Sequence, residues 1–262
     1  PPPGSVVFAQ EVGSDAVALA VVPGSPLRLQ ASVVGPDGSG VRGLRVAFLA
    51  GGRRIAAAPC GAGCYRASLD ATTPGPSVAV SLPRSTVRFA LPAAWPPADG
   101  TAIVARAGRV WRGLETLVSH ERLGSSPTAV LHTVYRFQAP SSLSYTIRGG
   151  SAAVIVGGTR WDRPASGARW RRSPQSPELR QPQPFWASAT DAHVVGSGRL
   201  RGRPVQRVSF FDPSSSAWFL AAIDRRTGRT LDLRMTAASH FMHDVYGPFD
   251  VPFRITPPGG SR

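Results

Sequence analysis

Apolar runs and period-two alternation recur at a spacing of roughly ten residues through residues 1–97. Turn signals separate them, such as Gly35-Pro36-Asp37-Gly38, where proline fixes one backbone angle and glycine permits a positive one. Short apolar or alternating segments bounded by turns predict β-strands. We predict strands at residues 16–22, 27–34, 44–50, 53–58, 65–69, 78–82 and 86–91. About seven short strands with regular turns are typical of an immunoglobulin-like β-sandwich.

The pattern changes after the Pro-rich segment 91–97, which we expect to be a stiff linker. Apolar residues recur at helical spacing through residues 98–118, and Asp99 is placed to cap a helix there. The helical positions are Ile103, Ala107, Val110, Trp111, Leu114 and Leu117. Strand patterns return at residues 130–138, 142–148, 152–159, 192–200, 205–211, 217–224 and 230–238. Residues 161–184 are basic and Pro-rich, which predicts a long loop or covering segment.

These patterns predict a mainly β protein with two domains. Residues 1–97 are expected to form the β-sandwich, and residues 98–262 a curved antiparallel sheet, or half-barrel, with a covering helix. No apolar run approaches the roughly 18–20 residues that a membrane-spanning helix needs. The sequence shows no phosphate-binding loop, zinc-protease motif or nucleophile elbow, so we expect no enzymatic activity.

The charge balance is strongly basic. The 30 basic residues, all of them arginine, stand against 15 acidic residues and give a net charge of +15. Such a chain is attracted to anionic surfaces, which include nucleic acid, phospholipid headgroups and acidic proteins. Because the arginines are spread along the chain, we expect weak, salt-sensitive adhesion to anionic lipid headgroups, worth about 1 kcal/mol per well-placed residue. We expect no sequence-specific binding of nucleic acid.

The two cysteines, Cys60 and Cys64, flank a Gly-Ala-Gly loop that allows their sulfurs to meet. A local disulfide in an oxidising compartment is the favoured interpretation. The alternative is a pair of soft ligands for copper or zinc, which needs further ligands to complete a site.

A second group of metal-ligand residues lies near the C-terminus, where Met235, His240, Met242 and His243 fall within one short stretch. Thioether and imidazole groups together favour copper, which is the one cofactor that these residues suggest. In an extended segment His240 and Met242 project from one face, about 6–7 Å apart, with His243 and Met235 as helpers. The alternative is that these residues only pack where the last strand meets its loop.

Tryptophan and arginine are interleaved around Trp161 and Trp170. Such side chains can stack on bases or on cations. The alternative, which we favour, is that the tryptophans fill a core while the arginines face solvent.

Taken with these motifs, residues 1–97 resemble the YtkA-like immunoglobulin-type domain of bacterial copper-resistance D (CopD-type) membrane proteins. Residues 98–262 resemble the lipoprotein-carrier fold of the LolA/LppX type, in the variant fused behind those copper proteins in actinobacteria. The first resemblance is carried by residues 13–23, Gly40-Val41-Arg42-Gly43-Leu44-Arg45-Val46 and Pro59-Cys60-Gly61-x-Gly63-Cys64-Tyr65. The second is carried by Glu121-Arg122-Leu123, Tyr145-x-Ile147-x-Gly149-Gly150, Arg160-Trp161-Asp162-Arg163, Trp170, Asp224-x-x-Thr227-Gly228-Arg229, Arg234-Met235, His240-Phe241-Met242, Tyr246 and Phe249.

The resemblance implies an extracytoplasmic module on the outer face of the bacterial cell membrane, with a membrane-embedded copper-transport module of the same polypeptide as its partner. It also implies a hydrophobic concavity that holds an acyl chain, and we assign Trp161, Trp170 and Phe241 to its wall or cover. The expected function is therefore ligand or partner binding beside a copper transporter. The alternative is a lipid or lipoprotein carrier that binds an acyl chain in the cavity of the second domain.

Overall fold

The computed structural model describes five stretches of the chain, residues 2–13, 15–35, 39–126, 129–237 and 241–259. In these stretches the fold is mainly β, with a single helix. The turn predicted at residues 36–38 and the candidate ligand His240 lie outside the described residues. No helix in the described stretches has the length and apolar character of a membrane span. The division into two domains at residue 97 stays a prediction.

The first nine strands form two antiparallel sheets that pack face to face. They are β1 Val6–Val12, β2 Asp15–Val22, β3 Leu27–Val34, β4 Ala47–Ala50, β5 Arg53–Ala56, β6 Ala58–Gly61, β7 Cys64–Leu69, β8 Ser77–Ser81 and β9 Thr86–Ala90. One sheet has the order β1-β2-β3-β7-β6 and the other the order β5-β4-β8-β9. Buried side chains such as Leu19, Leu29, Phe48 and Val80 fill the space between the sheets. This arrangement confirms the predicted immunoglobulin-like β-sandwich.

The turn between β6 and β7 carries both cysteines. A disulfide joins Cys60 to Cys64, whose Cα atoms are 5.0 Å apart. Gly63 between them has a φ of +69°, and a Cβ atom there would lie 2.4 Å from the Val33 carbonyl oxygen. Only glycine fits this conformation and this spacing, so the turn can close against β3.

Helix α1 spans Thr101–Arg112, which is shorter than the helix predicted over residues 98–118. The N-cap residue is Gly100 and not the predicted Asp99, which lies one residue earlier and accepts hydrogen bonds from the Thr101 N–H and hydroxyl groups at 2.9 and 2.6 Å. The chain leaves the helix and enters a strand before Leu117. Leu117 belongs to the strand but is buried in the same core as the helix. Its apolar side chain therefore continues the helical spacing in the sequence, which made the predicted helix too long.

The other eleven described strands form one curved antiparallel sheet that does not close. They are β10 Thr116–Ser126, β11 Ala129–Gln138, β12 Ser142–Ile147, β13 Ala152–Val156, β14 Thr159–Arg163, β15 Arg171–Pro174, β16 Thr190–Leu200, β17 Arg203–Asp212, β18 Ala217–Asp224, β19 Thr230–Thr236 and β20 Phe241–Phe249. Their order is β15-β14-β13-β12-β11-β10-β20-β19-β18-β17-β16, so β15 and β16 are the two end strands of the sheet. We call the face that carries α1 the inner face and the opposite face the outer face. Sheet and helix together confirm the predicted half-barrel.

Residues 161–184, predicted as a long loop, are partly strand. Their first part completes β14 and contains β15, and these two strands pair antiparallel. Residues 175–189, which we call the strap, then connect one edge of the curved sheet to the other. Trp186 of the strap packs against Trp111 of α1, with the ring centroids 5.6 Å apart. Residues 175–184 contain no strand, as the prediction of a loop requires, whereas the arginine-rich residues before them are partly strand.

Strand β1 contacts both parts of the molecule. Phe8 lies in the core of the β-sandwich. The carbonyl oxygen of Val7, on the other side of the strand, accepts a hydrogen bond from the Ser209 hydroxyl on the outer face of the large sheet. Glu11 near the end of β1 forms an ion pair of 2.8 Å with Arg122 on the same outer face. One edge strand thus joins the two parts.

Candidate functional site

Strand register decides which side chains of the curved sheet face the helix. Leu117 of β10 and Phe137 of β11 are direct partners, and both belong to the core beneath α1. Because side chains alternate along a strand, every second residue from these positions faces inward. The inner face therefore carries Leu123 and Leu131 further along the same two strands, where they are again partners.

An apolar row crosses six neighbouring strands on the inner face. Successive partners in this row are Leu131, Leu123, Met242, Met235, Phe219 and Phe210. Phe210 is fully buried, Leu123 is half-buried, and Leu131 is 40% exposed. The row thus runs from the packed core beneath the helix to an open end on β11.

The inner face beyond β10 is only partly covered. Tyr135 of β11 and Tyr145 of β12 are partners whose ring centroids lie 5.7 Å apart, and both are half-buried. Leu143, the neighbouring inward residue of β12, is also half-buried. We call the surface formed by Leu123, Leu131, Tyr135, Leu143 and Tyr145 the inner groove. An apolar surface with a few polar groups of this kind suits a hydrophobic ligand.

Two carboxyl groups lie side by side next to the apolar row. Glu121 of β10 and Asp244 of β20 are direct partners, and both are buried. Ser119 and Tyr246 donate hydrogen bonds of 2.6 and 3.0 Å to Asp244. Tyr135 donates a hydrogen bond of 3.3 Å to Glu121. These donors are hydroxyl groups, so the contacts bring no positive charge to the pair.

Burial controls the protonation of this pair. Desolvation, and to a smaller extent the charge of Glu121, raise the pKa of Asp244 to about 7, although the hydrogen bond from Ser119 acts to lower it. Desolvation also raises the pKa of Glu121, against hydrogen bonds from Thr133 and Tyr135. A large fraction of Asp244 therefore carries a proton at neutral pH, which limits the repulsion between the two carboxyl groups.

A cation lies at the rim of the inner groove. Arg160 of β14 donates hydrogen bonds of 2.9 and 2.8 Å from Nε to the two carboxylate oxygens of Asp162. Its Nη2 lies 3.4 Å from the Tyr145 hydroxyl oxygen. The hydrogen bond to Asp162 raises the pKa of Arg160, so the guanidinium keeps its charge. Because Asp162 already pairs with this guanidinium, an anionic headgroup at this end of the groove would compete with the Asp162 carboxylate for Arg160.

The metal ligands predicted from the sequence do not all converge. Met235 and Met242 are direct partners within the apolar row, 8% and 4% exposed. His243 points to the outer face, where its Nε2 lies 2.7 Å from Asp232 Oδ2. His240 lies outside the described residues. In the described part of the chain, no group of three or more His, Cys, Asp or Glu residues is placed to hold a metal ion.

The residues assigned to the wall or cover of a cavity do not line the inner groove. Trp161 is buried on the outer face of β14. Phe241 is buried on the outer face of β20, where its ring would lie only 3.0 Å from a Cβ atom at Gly124. Trp170 precedes β15, and the guanidinium carbon of Arg163 lies 5.1 Å from its ring centroid. Strand alternation turns Trp161 and Phe241 outward because Arg160 and Met242, next to them in the sequence, point inward.

Sequence reasoning missed the inner groove and the pair of acids. The alternation at residues 117–123 places Glu121 between inward apolar positions, but the helix expected over residues 98–118 overlaps its start. The inward positions Leu131 and Tyr135 do alternate within residues 130–138. That alternation could have indicated an apolar face on this strand, although it does not show which part of that face the helix leaves uncovered.

No family model matches the chain, and no curated protein matches its sequence. Among solved structures, the chain is similar to the lipoprotein LppX of Mycobacterium tuberculosis, with 11% identity, a TM-score of 0.45, and coverage of 59% of this chain and 97% of that one. It is similar to LprF of Mycobacterium bovis, with 8% identity, a TM-score of 0.47, and coverage of 63% and 99%. For a LolA superfamily protein of Nitrosomonas europaea the identity is 10%, the TM-score 0.28, and the coverage 61% and 96%. Identities and TM-scores this low carry no assignment of function, and the YtkA-like and CopD-type resemblance stays a prediction.

Proposed function

We propose that the curved sheet and its helix bind the acyl chain of a lipid or lipoprotein in the inner groove, and that the protein is a carrier for such a ligand. The observation that carries the proposal is the apolar row, which is buried beneath α1 and emerges at Leu131 with 40% of its surface exposed. A continuous apolar surface that stays open is a frequent mark of a ligand or partner site.

The groove has a composition that suits an amphipathic ligand. Its leucine side chains offer apolar contact, and each ligand methylene buried there contributes about 0.8 kcal/mol. Tyr135 and Tyr145 add aromatic faces with polar edges. Arg160, next to the Tyr145 hydroxyl, can exchange its ion pair with Asp162 for one with a carboxylate or phosphate headgroup. A long apolar chain with one anionic end satisfies both parts of this surface.

The test is a titration of the whole, delipidated chain with a fatty acid that carries an environment-sensitive fluorophore. We expect saturable binding at one site, a rise in fluorescence as the probe enters apolar surroundings, and displacement by unlabelled palmitate. Native mass spectrometry of the protein before delipidation provides a second measurement, the mass of any co-purified lipid. Absence of saturable binding, or binding that variants in the inner groove leave unchanged, would overturn the proposal.

We extend the proposal to location and partner. The disulfide between Cys60 and Cys64 supports a position outside the cytoplasm, since cytoplasmic thiols are kept reduced. The resemblance implies the extracytoplasmic face of the bacterial cell membrane, with the membrane-embedded copper-transport module of the same polypeptide as partner. Addition of trypsin to intact cells tests this location, because an extracytoplasmic chain would be cut after exposed arginines such as Arg180, whereas a cytoplasmic chain would stay protected.

Copper binding is a second candidate, and one observation favours it. Met235 and Met242 are partners on neighbouring strands, which brings two thioether groups to the same side of the sheet. Thioethers are soft ligands that prefer the cuprous ion. Two of them make an incomplete site, and His243 points to the opposite face, so the binding we propose is weak.

A further inference from the structure

On the outer face of the curved sheet, three nitrogen-bearing side chains stand side by side next to β1. Register pairs Arg122 of β10 with His243 of β20, and His243 with Arg234 of β19. The three side chains line a cavity of about 270 Å³, whose opposite wall is formed by residues 9–11 of β1. The cavity therefore lies where the β-sandwich meets the curved sheet, on the face opposite the inner groove.

The residues that line this cavity include two arginines, Arg122 and Arg234, and one carboxylate, Glu11. Glu11 Oε2 lies 2.8 Å from Arg122 Nη1, and Asp232 Oδ2 lies 2.7 Å from His243 Nε2. Among the described residues, no hydrogen bond or ion pair engages the Arg234 guanidinium. The row thus has the positive charge and the free donors to accept an anion.

We propose that this outer cavity binds a phosphate group, with Arg122 and Arg234 as its principal ligands and His243 between them. Guanidinium groups present forked donors that match phosphate oxygens. The two arginines lie two strands apart, a separation of about 10 Å that long side chains can close around one tetrahedral group. Asp232 holds the imidazole of His243 in place by its hydrogen bond.

Glu11 has a defined role in this site. Its carboxylate occupies Arg122 in the absence of ligand, so an incoming phosphate group competes with it for the same donors. The competition makes the binding weaker than two free arginines would give. It also predicts that a variant without the Glu11 carboxylate binds phosphate more tightly, a result that misfolding of the variant could not produce.

The experiment uses the whole chain and inorganic phosphate, titrated by calorimetry at low ionic strength. We expect Arg234→Gln to weaken phosphate binding about tenfold and Glu11→Gln to strengthen it about threefold, since each change alters one charge at the site. Arg84→Gln is the matched control, because it removes the same charge from an exposed position in the turn between β8 and β9. We expect its affinity to equal that of the wild type.

A second arm identifies the source of the phosphate group. Vesicles of phosphatidylcholine with phosphatidylglycerol are compared with vesicles of phosphatidylcholine alone, for the same variants. Binding of inorganic phosphate with the expected variant order supports a free phosphate ligand. Binding of only the anionic vesicles, with the same order, supports a lipid headgroup. No binding in either arm, or equal binding by the wild type and Arg234→Gln, overturns the site. Fatty-acid binding in the inner groove is measured in parallel, and its presence or absence is independent of these outcomes.

Discussion

Glu121 and Asp244 face each other across β10 and β20 on the inner face, and burial keeps Asp244 partly protonated at neutral pH. The pKa of Asp244 rises from 3.8 to about 7 on folding, so the folded chain holds this proton more tightly than the unfolded chain. The stability linked to this proton is therefore fully present below about pH 4. It is lost as the pH rises through about 7.

The first prediction concerns this pH dependence. We expect the wild type to lose stability on the order of 2–4 kcal/mol between about pH 5 and pH 8 through this pair. Asp244→Asn keeps hydrogen-bonding atoms for Ser119 and Tyr246 but cannot ionise, so we expect it to remove most of that loss. The measurement is urea unfolding of both proteins at a series of pH values.

The comparison with Asp244→Asn also cancels other titrating groups. His193 is one of them, since desolvation lowers its pKa and makes its contribution to stability rise with pH instead. Asp70→Asn, at an exposed position of the β-sandwich, controls for the loss of one acidic residue. Parallel stability profiles for the wild type and Asp244→Asn would contradict the prediction.

The second prediction tests the inner groove with two residues of one strand. Leu131 points inward and is 40% exposed, whereas Val134 points outward and is 38% exposed. We expect Leu131→Glu to weaken binding of the fluorescent fatty acid at least about tenfold, because it puts a charge where the acyl chain lies. Val134→Glu should bind like the wild type. Equal weakening by the two variants would show that the ligand does not occupy the inner face.

The third prediction separates copper from lipid. We expect the wild type to bind cuprous ion weakly, and the Met235→Leu, Met242→Leu double variant to lose that binding because it lacks both thioethers. Leucine keeps the volume and apolar character of methionine, so fatty-acid binding should persist in the same variant. A competition titration against a cuprous-ion chelator measures the first effect. Unchanged copper affinity in the double variant would assign the two methionines to packing alone.

The fourth prediction concerns the strap. Asp212 is fully buried and accepts hydrogen bonds from the N–H groups of Ala187 and Ser188, at 2.6 and 3.3 Å. Asp212→Ala leaves these donors without a partner, and we expect a loss of about 2–4 kcal/mol in stability. The freed strap should be cut faster by trypsin after the exposed Arg180.

Limited proteolysis followed by mass spectrometry measures this cleavage. Glu178→Ala is the control, because it changes an exposed acid of the strap and leaves the anchor at Asp212 intact. If Asp212→Ala is cut no faster than Glu178→Ala, the strap is held by other contacts, such as the packing of Trp186 on Trp111.

The local pattern of apolar and polar residues was sufficient to predict a strand that is buried on one face. Strand β3 spans Leu27–Val34, as its alternation and its flanking turns predict. Local pattern failed for β20, Phe241–Phe249, because its polar residues read equally well as loop and its pairing with β10 comes from a distant part of the chain. It also failed for β15, an edge strand whose residues are all exposed and therefore show no buried periodicity.

The candidate site was harder to predict, because the face of the sheet on which a side chain lies is decided only when the strands pair. Leu131 and Val134 are both apolar, and the sequence does not say which of them lies on the side of the helix. A shift of one residue in register would exchange the two faces. The same ambiguity applies to Trp161 and Phe241, which lie on the outer face, and it hid the pair Glu121 and Asp244, which forms only when β10 and β20 meet.

Strand β1 has a mechanical consequence. It is the edge strand of its sheet, paired only with β2, so a pull on the N-terminus would unzip it one pair of residues at a time, beginning where Val6 meets Val21. Unzipping would next break the contact of Val7 with Ser209 and, last, the ion pair of Glu11 with Arg122. Tension on this end of the chain would therefore open the outer cavity and free Arg122. A pulling force would thus change the affinity of the cavity for an anion, and a bound anion would change the force needed to detach β1.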